Sequence, residues 1–171
     1  NHKEDVNSQP TKKRKSPTKG RSSIDIQTNE VVCNALSMPH SPRLHNGKLW
    51  LLEAGTGYFG YVNFDTKKFV PMTFCPGFLR GMSFVGNYAV VGMSKNRENK
   101  TFEGLQLDKN LDEKGVEPKC GLQVIDLTTG EIVEWMNIDG VVRELYDVMA
   151  MPNVRKPLVI GTQKDEIKRK Q

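Results

Sequence analysis

His40, Pro42 and Arg43 crowd the front of the run MPHSPRLHNGKLWLL at residues 38–52, and Arg80 stands in CPGFLRG at residues 75–81. Glu144, Tyr146 and Asp147 follow within RELYD at residues 143–147. The planar fork of an arginine donates two parallel hydrogen bonds to one carboxylate or phosphate. A histidine beside an acid exchanges protons near neutral pH. Gathered together, His40, Arg43, Arg80, Glu144, Tyr146 and Asp147 would bind a small anionic ligand or an acidic peptide. If the protein is instead a hydrolase or lyase, His40 and Asp147 are its candidate base and acid. Two blander readings stand beside these: the arginines and carboxylates pair to tie neighbouring elements together, or the protein is an interaction scaffold with no small-molecule site.

Other chemistries find less support in the residues. His2, His40 and His45 form no metal-ligand cluster, and the odd spacing of the last two puts them on opposite faces of a regular strand. Ser41 adjoins His40, but adjacent strand residues point apart, which argues against a nucleophile pair. Neither G-x-G-x-x-G nor G-x-x-x-x-G-K-[ST] occurs, and no cofactor is expected. Cys33, Cys75 and Cys120 are odd in number and far apart, so a reducing, cytoplasmic setting is expected. No apolar run approaches the roughly 18–20 residues that span a bilayer, so a soluble protein with no membrane partner is expected. Trp50, Trp135, Met149 and Met151 sit among apolar residues and are expected to pack in the core.

The charge is local. Residues 1–21 carry seven Lys or Arg and two Asp or Glu, a net of +5, which equals the formal charge of the whole chain. The remaining residues therefore balance, and residues 1–21 read as a basic, flexible extension. Its TKKRKSPTKGR stretch resembles a nuclear localisation signal; the plainer reading is a solvated loop, and the functional one is binding of acidic partners or nucleic acid by charge alone. No aromatic residue lies among the lysines to stack on bases, which argues against nucleic-acid binding. Residues 164–171 form a charged tail of the same kind.

The elements that must position the six side chains show themselves in the turns. Residues 25–32 (DIQTNEVV), 63–70 (NFDTKKFV) and 126–133 (DLTTGEIV) share one pattern: Asp or Asn first, then a polar pair ending in Thr, then two apolar positions at the close. Such octets join strand pairs, because a leading Asx bonds its own backbone and Asn29 and Gly130 tolerate positive φ. Their starts lie 38 and 63 residues apart, and the excess of 25 matches the polar insertion at residues 95–120. Within that insertion, Leu107 and Leu111 ahead of Gly115 predict a short helix with its apolar edge packed inward.

A repeat near 40 residues built of short strands points to a partial β-propeller of about three blades' worth of four-stranded antiparallel units. An antiparallel β-sandwich is the alternative. One unit takes strands at 43–45, 48–52, 58–62 and 68–74, and the next at 81–85, 88–93, 121–126 and 131–137. Two outer strands precede them, and MPNVRKPLVIG at 151–161 opens a further unit. The propeller region thus runs over residues 22–163. In that geometry the six side chains converge at the channel mouth, with the insertion rising on the same side.

The stretches SMPHSPRLHNGKLWLLEAGTGYFGYV, FCPGFLRGMSFVGNYAVVGMSK, CGLQVIDLTTGEIVEW and ELYDV resemble an uncharacterised bacterial family of conserved hypothetical proteins. The family has a domain of unknown function and a predicted propeller. The likeness covers about residues 24–167. It implies that this chain is a C-terminal half whose N-terminal propeller half is missing, and it implies no activity.

Overall fold

The computed structural model describes residues 20–95 and 104–157. The basic stretch 1–19, part of the insertion, the end of the 151–161 pattern and the tail 164–171 lie outside the described residues. The protein is all-β with one short helix. Strands β1 (Arg21–Ile24) and β2 (Val31–Leu36) form a two-stranded sheet. Next come β3 (Pro39–His45), β4 (Lys48–Glu53), β5 (Tyr58–Asn63) and β6 (Lys68–Phe74), an antiparallel meander in chain order. A second meander joins β7 (Phe78–Val85), β8 (Tyr88–Ser94), β9 (Gly121–Asp126) and β10 (Ile132–Asn137). None of the three sheets closes on itself. The first strand opens at Arg21, inside the stretch expected to be loop.

The octets are the turns between β1 and β2, β5 and β6, and β9 and β10. Asp25 Oδ1 accepts from the Gln27 and Thr28 backbone N–H at 2.7 and 3.1 Å, Asn63 Oδ1 from Thr66 at 2.9 Å, and Asp126 Oδ1 from Thr128 at 2.7 Å. The fifth residue of each octet, Asn29, Lys67 or Gly130, takes positive φ (58°, 53° and 78°). One backbone plan is therefore written three times, with the lysine as its least expected spelling.

Strand β4 shows how the layers stack. Trp50 and Leu52 face the second meander, where they meet Leu79, Met82, Val91, Met93 and Ile125. Leu51 faces the other way, onto Cys33 and Leu36 of β2 together with Val62. Helix α1 (Gln106–Lys114) buries Leu107 and Leu111 against the first of these cores, and Gly115 ends it in the left-handed conformation at φ 62°. The Asn110 side chain donates to the Thr56 carbonyl at 2.8 Å, which fixes the helix over the β4–β5 turn.

Residues 151–157 form no strand, and the apolar stretch after them, where the further unit would place one, lies outside the described residues. One expectation is corrected. Trp50 is 2% exposed as a core residue should be, but Trp135 is 65% exposed, Met149 76% and Met151 45%. The tryptophan lies on the edge strand β10, and the methionines flank Ala150 on an irregular segment laid along β7 with their side chains left exposed.

Candidate functional site

The first strands of the two meanders, β3 and β7, carry the site, and each is bent by a β-bulge. In β3 the register runs from His40 opposite Leu52 to Arg43 opposite Trp50, so one extra residue is inserted at Ser41–Pro42. In β7 it runs from Leu79 opposite Met93 to Met82 opposite Val91, with the extra residue at Arg80–Gly81. Bulges re-aim side chains and add local twist. Ser41 and Gly81 both have positive φ (50° and 76°), and the Gly81 N–H donates to Ser41 Oγ at 3.1 Å. The two bulges are thereby bonded to one another.

The bulge corrects the parity argument for the histidines. One inserted residue restores His40, Arg43 and His45 to the same face of β3. The His40 ring meets Phe78 edge-on with centroids 5.7 Å apart. His45 stacks on Phe84 at 4.2 Å and donates from Nε2 to the Gly86 carbonyl at 3.0 Å. No cluster of three or more metal-binding side chains occurs among the described residues.

The segment after β10 runs along the exposed side of β7. Ser94 Oγ accepts from Leu145 N–H at 2.9 Å, the Lys95 N–H donates to the Arg143 carbonyl at 2.9 Å, and the Ala150 N–H donates to Ser83 Oγ at 3.1 Å. Gly81 is obligatory at this crossing, since a Cβ there would stand 2.5 and 2.6 Å from the backbone C and Cα of Asp147.

Four of the six sequence-selected side chains make direct contacts across these strands. Arg43 lies 3.9 Å from the Asp147 carboxylate, with both partners largely exposed. The Arg80 guanidinium lies 5.6 Å from the Phe78 ring centroid and 5.7 Å from that of Tyr146, within cation–π range. His40 joins them through Phe78. Glu144 is half-buried on the same segment. Phe78 is the contributor that residue-type reasoning passed over, although its place two residues before Arg80 on the same strand would have found it.

The field at His40 is positive. Burial first, then the charges of Arg80 and Arg21, hold the His40 imidazole below its ordinary value, so the ring is neutral at pH 7. Its Nε2 is buried and makes no hydrogen bond among the described residues. The Asp147 carboxylate is engaged by Arg43 and by the Val148 N–H at 2.9 Å, an anchoring arrangement more than one for proton transfer. Thiol chemistry is disfavoured, because burial pushes Cys75 up to about 12 and raises Cys33 and Cys120 as well.

The fold and this cluster define an all-β protein of stacked antiparallel meanders. The chain belongs to the family described as Domain of unknown function (DUF4915), which matches residues 6–160. No curated protein matches it. Among solved structures it is similar to the crystal structure of the computationally designed Ika8 protein, at 13% identity and a TM-score of 0.44. That alignment covers 80% of this chain and 36% of the designed one, so the chain spans little more than a third of that protein. No helix among the described residues is long and apolar enough to cross a membrane.

Proposed function

We propose that the stacked meanders are successive blades of a β-propeller, completed by blades outside this sequence, and that their inner strands form a mouth that binds a small anionic ligand or an acidic peptide. One observation carries the binding reading. Arg80 is flanked by Phe78 and Tyr146, yet among the described residues no carboxylate lies within 4.0 Å of it. Flanking rings orient a guanidinium and leave its donating edge for a planar anion.

The neighbours support the same reading. The Arg43–Asp147 pair is exposed on both sides, and such pairs contribute about 0–1 kcal/mol, so an incoming anion displaces Asp147 at little cost. Among the described residues His40 Nε2 has no hydrogen-bond partner, and a ligand would supply one. Two β-bulges, in β3 and β7, support the reading by carrying two arginines and an imidazole on neighbouring strands.

The test is calorimetric titration of the full chain with citrate, inorganic phosphate and a tetraglutamate peptide, repeated for Arg80→Ala. Binding of at least one probe is expected, with Arg80→Ala weakening it at least tenfold, about 1.4 kcal/mol. The melting temperature should move by less than about 2 °C, as for other surface changes. Failure of every probe would favour a scaffold without a small-molecule site. A large fall in melting temperature would show that Arg80 is a structural tie.

A further inference from the structure

The second meander carries another feature at its opposite edge. Its strands run β7, β8, β9, β10, so the outer strand lies about 14 Å from the arginine-bearing one at ordinary strand spacing. There, Lys119, Gln123, Ile132, Trp135 and Asn137 line an open groove of about 260 Å³. Gln123 and Trp135 are directly paired across β9 and β10. The glutamine is only 7% exposed, and its Oε1 accepts no hydrogen bond among the described residues. The indole beside it is 65% exposed.

Neither condition is ordinary for a strand pair. Buried side-chain acceptors are nearly always satisfied, so an orphan at the floor of a groove asks for a donor from outside. An exposed tryptophan presents a flat, electron-rich face. The C–H bonds on one side of a pyranose ring are polarised by their oxygens and suit such a face, while the ring's hydroxyls supply the missing donor. Asn137 and Lys119 add amide and ammonium donors for hydroxyl, carboxylate or sulfate oxygens. The volume falls just below the roughly 300–1,000 Å³ of sites for drug-sized ligands, which suits one or two sugar rings.

We infer that the groove between Gln123 and Trp135 is a saccharide-binding site, with the indole as stacking platform and Gln123 Oε1 as acceptor of a sugar hydroxyl. This site is independent of the arginine cluster.

Tryptophan fluorescence gives the test, because Trp50 is buried and Trp135 dominates any solvent-dependent change. The full chain is titrated with cellobiose, maltose, chitobiose and digalacturonate. At least one is expected to shift the emission to the blue in a saturable way. Gln123→Leu keeps the side-chain volume, removes the orphan acceptor, and should weaken that sugar at least tenfold with no loss of thermal stability. Binding followed by NMR chemical shifts should vanish in Trp135→Ala, whose exposed position leaves the fold intact. The inference is overturned if no sugar perturbs Trp135 at 20 mM, or if Gln123→Leu binds as well as the wild type. It is equally overturned if an extended peptide shifts the emission and none of the sugars does, since the groove would then be an edge for strand addition.

Discussion

Strands β4 and β9 are both interior strands of their meanders, the second of one and the third of the other, and they differ in what covers them. In β4, Trp50, Leu51 and Leu52 are all buried, because one face meets the second meander and the other meets β2. In β9 burial alternates: Gly121, Gln123 and Ile125 are buried, while Leu122 and Val124 are only half-covered. The uncovered face continues through Val90 to Val85 and Tyr88, both 43% exposed, and Met136 at 49%. The lesson is that one meander is a finished layer and the other is an apolar face with only the segment after β10 laid along its inner edge.

The largest effect should come from breaking this contrast directly. Leu51→Ala removes a side chain that is 1% exposed, and such changes cost about 2–5 kcal/mol. Val124→Ala, on the open face, should cost less than about 1 kcal/mol. Urea unfolding midpoints of the two variants measure the difference. Equal losses would mean that the face of the second meander is covered in solution.

The bulges sharpen the comparison at the next scale. Gly81 sits at φ 76° against the Asp147 backbone, so Gly81→Ala carries conformational strain of about 1–3 kcal/mol and must push the 145–150 segment aside. Ser41 sits in the equivalent bend with a side chain already in place, and Ser41→Ala loses one hydrogen bond worth about 0.5–1.5 kcal/mol. Gly81→Ala should therefore destabilise more, and it alone should release the amide protons of Leu145 and Ala150 to hydrogen exchange. Loss of that protection in Ser41→Ala instead would locate the anchoring bend in β3.

What could be read from the chain divides along the same line. The strands of both meanders follow from local signals: Asx residues that cap turns, Asn46–Gly47 with positive φ at both positions, and Leu107, Leu111 and Gly115 for the helix. These depend on neighbours in sequence, so the sequence displays them. The bulges do not, because nothing in HSPRL says that one residue will go unpaired, and that single insertion moved His40 onto the face of Arg43 and His45. Trp135 misled for a related reason. Its apolar flanks signal a strand, whereas burial depends on a layer that lies elsewhere. At the candidate site, residue types singled out the arginines and Asp147, but the approach of Tyr146 to Arg80 joins side chains far apart in sequence.

The smallest effect concerns the charge at the two bulges, where His40 in β3 and Arg80 in β7 sit one repeat apart. Burial, then Arg80 and Arg21, depress the His40 imidazole from its ordinary 6.5. The unfolded chain therefore binds the proton more readily than the folded one. Stability attached to this residue is fully present above pH 6.5 and is lost as the pH falls below that value toward the depressed one. Urea midpoints at pH 7.5, 6.0 and 5.0 for the wild type and for His40→Gln isolate the contribution, since all other titrating groups are common to both. The wild type should lose ground to the variant as the pH drops. Adding Arg80→Gln to both proteins should shrink that divergence, because a major source of the positive field is gone. If the divergence is unchanged, burial and Arg21 depress the imidazole without Arg80, and the two bulges do not act on each other electrostatically.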